Sequence, residues 1–414
     1  MSRYNFKYLP LPTGDWPSPP SSWRIDVRSR QTWLYLALSV VGIANVFLGW
    51  KWWHGLPLTP LDSYQILKDD FRLACPTNPN STAIVTTLYN DLYTLPVLTL
   101  GYSLSTHYDN TTSSEYPSLP TPRRLLLYIP HRISPLTLCL ARAVGWEPHP
   151  VDFIAPPHNG EGIGLRFGDQ YTKLSLWTLD QIGIQKLVYL DGDTLVRRRF
   201  DELFALPFDF AAVPDIWENE RGFALGFNAG VLLLRPSTAV FENLLAHMED
   251  AVYPPGEAEQ AYLNLYFGAE AVRLPYIYNA NLVAKIRSPK LWNFMSRSDA
   301  LRIVHYTTPK PFPFYAPPVG TENGGTREWL QKARETVRRQ VQKAKKAKGG
   351  LFREEIGWWE DAWRGMERDR SEEMEKCKRE VAGGEHTSAR RHAGSSMSRS
   401  WGPDLAEFAK LHVV

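Results

Sequence analysis

Two carboxylates one residue apart, Asp191 and Asp193, close the apolar run KLVYL at residues 186–190, with Gly192 between them. Hard divalent cations take oxygen ligands, and a cation held by two such carboxylates can bridge a diphosphate and neutralise charge on a leaving group. A strand ending on this pair delivers it to the carboxyl edge of a sheet, where open α/β folds bind ligands. The glycine lets the backbone approach closely. The chemistry implied is departure of a nucleoside diphosphate, as in transfer from a nucleotide sugar. By itself the triplet also fits a solvated acidic turn.

The runs AIVTTLY, RRLLLYI, HPVDFIA, KLVYLD, FDFAAVP and GVLLLRP read as strands, and residues 95–105, 135–144 and 171–181 as helices between them. This alternation predicts a mainly parallel α/β sheet. Residues 108–122 read as a Ser/Thr/Pro-rich surface loop. Beyond residue 326 the Lys, Arg and Glu content predicts solvated helices, with Trp358, Trp359 and Trp363 packing on the domain, and then a disordered tail.

The chain has 414 residues, which suits one sizeable domain with extensions. A formal charge of +3 without a basic stripe excludes a nucleic-acid partner. The three cysteines, Cys75, Cys139 and Cys377, lack metal-ligand spacing; a Cys75–Cys139 disulfide and free or buried thiols are both open. Residues 33–50, WLYLALSVVGIANVFLGW, are long and apolar enough to span a bilayer, with tryptophans at both ends. Arg24, Arg28 and Arg30 make the preceding side positive, hence cytosolic, a type II orientation. The expected layout is a cytosolic tail (1–32), a transmembrane helix (33–53), a stem (54–81), a catalytic domain (82–320), a charged helical extension (321–382) and a mostly disordered tail (383–414). Asn80 and Asn110 begin sequons that would face the lumen.

An apolar strand followed by Asp-x-Asp-Thr-Leu also describes the nucleophile motif of haloacid-dehalogenase-type phosphatases, with Asp191 attacking phosphorus and Asp193 as general acid. That motif opens its fold, whereas here several strand-helix units precede it. The segments AIVTTLYNDLYTLPVLTLGYSL, YTKLSLWTLDQIGIQKLVYLDGDTLVRRRFDELF, FNAGVLLLRPS, EQAYLNLYF, LPYIYN and IVHYTTPKPF, in this order, resemble glycosyltransferase family eight, the glycogenin-like branch of the GT-A fold, over residues 82–316. The nearest layout is that of fungal Golgi N-acetylglucosaminyltransferases.

The resemblance implies a retaining transferase of the Golgi membrane. Its partners would be a UDP-sugar donor, first UDP-N-acetylglucosamine, and a glycan or glycoprotein acceptor. It implies that Asp191 and Asp193, with His305, bind Mn²⁺ or a similar ion, for which mixed carboxylate and imidazole ligands are suited. Asp191, Gly192 and Asp193 would meet the diphosphate, and Thr87, Asn90 and Tyr93 the uracil and ribose; Asn90 also suits a helix cap and Tyr93 an apolar helix position. Lys173 would approach the donor and Lys310 the diphosphate. Asn228, beside Gly230, would contact the sugar. Glu259 and Gln260 would face the anomeric carbon, Gln260 as a stabiliser rather than a nucleophile. Glu259 stands where the family commonly shows Asp, the stretch His305–Lys310 is one residue short and lacks a glycine, and Arg166 is out of register as a diphosphate contact. These departures keep a catalytically inactive membrane scaffold as a further alternative.

Overall fold

The computed structural model describes residues 29–54, 81–109, 121–216, 226–297, 299–313 and 327–392. Cys75, Asn80, Asn110 and most of the expected stem lie outside these residues, as does the side chain of Arg166. Helix α1 (Arg30–His54) brackets the expected span. Its residues 30–50 are long and apolar enough to cross a membrane, with mean hydropathy 1.7 and no part buried.

The chain divides into two compact units, residues 1–58, which include α1, and residues 59–414, the second unit. Its described elements open with β1 (Thr82–Leu88), α2 (Thr94–Tyr108), β2 (Arg123–Tyr128), α3 (Pro135–Ala143), β3 (Glu147–Pro150), a 3₁₀-wound segment Leu165–Ile182, and β4 (Lys186–Leu190). There follow β5 (Thr194–Val196), α4 (Glu202–Ala205), β6 (Phe210–Pro214), β7 (Phe227–Leu234), α5 (Thr238–His247), α6 (Ala258–Phe267) and β8 (Val272–Arg273). The remaining elements are β9 (Ala280–Asn281), α7 (Val283–Arg287), α8 (Pro289–Arg297), β10 (Ile303–His305), α9 (Arg327–Lys346), α10 (Arg353–Asp369) and α11 (Ser371–His392).

The main sheet has the order β3-β2-β1-β4-β7-β6-β8. Only β7 runs against its neighbours. Every residue of β1 and β4 is buried, as expected of parallel strands covered on both faces. Ile84, Val188 and Leu190 pack on one side of the sheet; Val85, Leu187 and Tyr189 pack on the other with Trp177. The expected strand HPVDFIA is shorter and earlier, since β3 stops at Pro150. Pro148 and Pro150 lack ladder donors, which suits an edge strand. Beyond it the chain leaves the sheet, and Ile154 N–H donates to Thr172 Oγ1 at 3.2 Å.

A second sheet, β5-β10-β9, lies at the carboxyl end of β4. Its register pairs His305 with Thr194 across antiparallel strands and with Asn281 across parallel ones.

The C-terminal helices are not the solvated rods their charge suggests. Val337, Val341 and Ala344 of α9 and Ile356, Trp359, Trp363 and Met366 of α10 are buried in one core with Tyr306 and Phe312. Trp358 is half-buried under the Arg197 guanidinium, 4.4 Å from its ring centroid. Helix α11 continues to His392, past the boundary expected at 383. Cysteine pairing also differs from expectation: Cys139 on α3 is bonded to Cys377 on α11, with Cα atoms 5.7 Å apart. Spacing along the chain could not reveal this, because 238 residues separate the two.

Candidate metal and donor site

A tight turn carries the acidic pair. Thr194 N–H and its hydroxyl both donate to the Asp191 carbonyl, at 3.0 and 2.8 Å. Asp191 N–H donates to Gly230 O at 2.8 Å, tying the end of β4 to β7. A Cβ on Gly192 would lie 2.7 Å from the Val97 side chain and 3.2 Å from the Tyr93 ring, so a side chain there would require these groups to shift.

The second sheet then brings His305 to the pair. Tyr306 N–H donates to the Asp193 carbonyl at 3.0 Å, and His305 Nε2 lies 3.3 Å from Asp193 Oδ1. Ligand atoms of Asp191, Asp193 and His305 all fall within 4.8 Å of one another. The buried His305 ring is held from behind by Asn279, with Nδ1 2.9 Å from Asn279 Oδ1. An amide oxygen can only accept, so Nδ1 donates to Asn279 and the ring turns Nε2 toward the carboxylates, where it would ligate a metal on giving up its proton. The donor set of two carboxylates and one imidazole nitrogen fits a divalent ion such as Mn²⁺. Space for the ring depends on Gly230, where a Cβ would come within 2.3 Å of His305 Cε1.

Two lysines balance the acidic charge. The Lys310 ammonium is hydrogen-bonded to Asp193 Oδ2 and lies 3.2 Å from Tyr93 Oη. Burial opposes ionisation of Asp193, but Lys310 and His305 outweigh it and hold the carboxyl well below the usual range. Lys173, only 1% exposed, lies 2.7 Å from Glu259 Oε1 and 3.3 Å from Asp191 Oδ1. Burial alone would lower its pKa; the Asp191 and Glu259 carboxylates raise it far above the ordinary lysine value. Tyr189 completes the Asp191 environment, donating to Oδ1 at 2.6 Å. Its hydroxyl also lies 3.0 Å from Thr87 Oγ1.

On the other flank, Asn228, Gln260 and Asp215 form one network. Asn228 Oδ1 accepts from Gly230 N–H at 3.0 Å and from Asn279 Nδ2 at 2.9 Å. Asn228 Nδ2 donates to Asp215 Oδ1 and Gln260 Oε1, at 3.3 and 3.2 Å. Gln260 Oε1 also accepts from Ala229 N–H, and Gln260 Nε2 donates to Asp215 Oδ2 at 2.8 Å. Burial pushes the Asp215 carboxyl up, against the hydrogen bonds from Ile216 N–H, Gln260 and Asn228. These bonds hold Gln260 as an oriented amide. The turn before it is strained, since Ala258 sits at φ 50° and ψ −134°, a conformation unfavourable for a residue with a Cβ.

The expected nucleotide residues lie along the β1–α2 turn. Asn90 Oδ1 accepts from Leu92 N–H at 3.1 Å and caps the short 3₁₀ turn Asp91–Tyr93. Tyr93 packs edge-on against Phe312, ring centroids 5.5 Å apart. Asp191, Gly192, Asp193, Lys173, Asn228, Glu259, Gln260, His305 and Lys310 thus share one continuous set of contacts, with Thr87 joined through Tyr189 and Tyr93 through Lys310. Asn90 is engaged in its cap.

Sequence reasoning missed Asn279 and Asp215. Both had a legible signal: Asp215 follows the end of the apolar strand FAAVP, and Asn279 ends the segment LPYIYN.

A mainly parallel sheet with one reversed strand, and two carboxylates and a histidine at its carboxyl edge, define a domain of the GT-A nucleotide-sugar transferase fold. Residues 168–312 match the family model of Glycosyl transferase family 8. Similar curated proteins include Glycogenin of Neurospora crassa, 35% identical over 32% of this chain and 18% of that one. Galactinol synthase 1 of Solanum lycopersicum is 33% identical over 35% of this chain and 48% of its own length. Human Glycogenin-2 is 32% identical over 54% of this chain and 42% of its own length. The chain thus spans less than half the length of these three relatives. None of the three is named as an N-acetylglucosaminyltransferase.

Proposed function

We propose that this protein is a membrane-anchored, metal-dependent glycosyltransferase that moves a sugar from a UDP donor, with retention, to a glycan or glycoprotein acceptor. The observation that carries the reading is His305, buried and fixed through Nδ1 by Asn279 so that Nε2 faces Asp191 and Asp193. In this reading the three residues hold Mn²⁺ or a similar cation, which when bound supplies a positive charge for the departing diphosphate. Lys310 adds a second positive charge beside Asp193. Lys173 holds Glu259 and Asp191 in register, and Asn228 and Gln260 present oriented amides toward the sugar. Thr87, Asn90 and Tyr93 line the nucleotide side. The match of residues 168–312 to family 8 favours transfer over an aspartyl nucleophile at Asp191.

Helix α1 would be the membrane anchor, and the Cys139–Cys377 disulfide supports an oxidising compartment for the domain, consistent with a lumenal, type II arrangement in the Golgi. UDP-N-acetylglucosamine belongs in a donor screen beside UDP-glucose and UDP-galactose. The test uses detergent-solubilised full-length protein with Mn²⁺, measuring hydrolysis of each donor and calorimetric binding of UDP. Metal-dependent UDP binding that is lost in Asp193→Ala is expected. Undiminished metal-dependent binding in that variant would overturn the site assignment.

A further inference from the structure

The segment from His305 to Phe312 carries both a candidate metal ligand and the Lys310 ammonium. Three of its groups are gripped by helices beyond the matched region 168–312. Tyr306 Oη donates to the Glu355 carbonyl of α10 at 2.7 Å. Gln340 Nε2 of α9 donates to the Lys310 carbonyl at 2.9 Å. The fully buried Phe312 ring lies 5.7 Å from the Trp359 ring of α10, centroid to centroid. Trp359 stacks in turn on Trp363, at 6.1 Å.

The clamp is itself anchored. Glu355 is completely buried and is paired with Lys285 Nζ at 2.6 Å and Trp292 Nε1 at 2.9 Å. Tyr102 of α2 donates to Asp369 at the end of α10, and the Cys139–Cys377 disulfide ties α11 to α3. Of the three grips, only Gln340 bonds to the residue whose side chain reaches Asp193. A backbone carbonyl held at one end and an ammonium held at the other leave the lysine stem few ways to turn.

We propose that the C-terminal helices are part of the donor site, with Gln340 a positioning residue that fixes the Lys310 backbone and so aims its ammonium at the diphosphate position. The partner to be recognised is a nucleoside diphosphate, and this proposal rests on the donor-site reading above.

The experiment is a double-mutant cycle on the full-length protein, combining Gln340→Glu, which keeps the shape but removes the donor, with Lys310→Ala. In the wild-type background Gln340→Glu is expected to weaken Mn²⁺-dependent UDP binding by about threefold to tenfold, the usual worth of one hydrogen bond. In the Lys310→Ala background it is expected to change UDP affinity by less than about twofold, since nothing remains for it to position. Equal losses in both backgrounds, or no loss in either, would overturn the proposal. Hydrogen exchange without ligand gives a second reading: Gln340→Glu should raise exchange over residues 306–312 while α10 stays protected. Unchanged exchange there also overturns the proposal. Raised exchange in a protein that binds no UDP would sustain the positioning of Lys310 while refuting the donor site.

Discussion

Replacing Asn279 tests how the metal site is assembled. Asn279 is 1% exposed, and its side chain makes two bonds that matter: Oδ1 accepts from His305 Nδ1, and Nδ2 donates to Asn228 Oδ1, both at 2.9 Å. In Asn279→Leu the branched side-chain shape is kept and both bonds vanish. A lost neutral hydrogen bond costs about 0.5–1.5 kcal/mol, and a buried donor left without a partner costs about 1–3 kcal/mol. Part of that cost falls on the metal-free protein as well, and the part specific to binding is the loss of a pre-aimed Nε2. Partners that orient ligand histidines are typically worth about 10–100-fold in metal affinity. Asn279→Leu is therefore expected to weaken Mn²⁺ binding by that factor, about 1.4–2.7 kcal/mol. Asn279→Asp keeps the acceptor for Nδ1 while disrupting the bond to Asn228, so its Mn²⁺ affinity should stay within about threefold of wild type. The assay is Mn²⁺ titration followed by electron paramagnetic resonance, with thermal unfolding in parallel. Wild-type affinity in the Leu variant, or equal losses in Leu and Asp, would refute the reasoning.

Gly230→Ala places a Cβ 2.3 Å from His305 Cε1, so Mn²⁺ binding should be lost at an overpacking cost of about 1–3 kcal/mol, read from unfolding midpoints. Lys310→Ala frees Asp193 Oδ2 of its competing ammonium and should tighten Mn²⁺ binding without nucleotide while weakening UDP; a variant that loses both affinities contradicts this. Cys377→Ser opens the disulfide to Cys139 and should cost about 2–5 kcal/mol of stability, measured by denaturant unfolding without reductant. Asp215 has its carboxyl pKa raised by burial, so from about pH 4 up to that raised value the folded state holds a proton the unfolded state releases. Stability from this group falls as pH rises through that window, and Asp215→Asn should gain on wild type across it; parallel stability curves would exclude the effect.

Local order was readable where one stretch of chain supplies its own reason. Residues 187–190 of the run KLVYL are apolar because β4 is buried on both faces, and the acidic pair at its end is visible without any partner. The helix cap at Asn90 is equally local. HPVDFIA misled because alternation of residue types does not reveal where the ladder stops: Val151 N–H makes the last bond, to Tyr128 O, and the residues after it leave the sheet. After residue 326 the packing of Trp359 and Trp363 was legible, but high overall charge hid the rest of the apolar face that α9 and α10 bury together.

The amino-acid sequence by itself determined the strand-helix alternation, the apolar N-terminal helix, the acidic pair and, through ordered resemblance, the set of residues that should meet. Only the tertiary structure decided how they meet. Pairing of Thr194 with His305 sets the imidazole against Asp193 across more than a hundred residues of chain, and the Asn279 bond selects which ring nitrogen faces the pair. Lys173 is paired with both Glu259 and Asp191 because burial makes an unpaired charge costly. The Cys139–Cys377 bond and the hold of Gln340 on Lys310 likewise join points remote in the chain. Such contacts depend on register and packing between elements, which no local pattern of residues encodes.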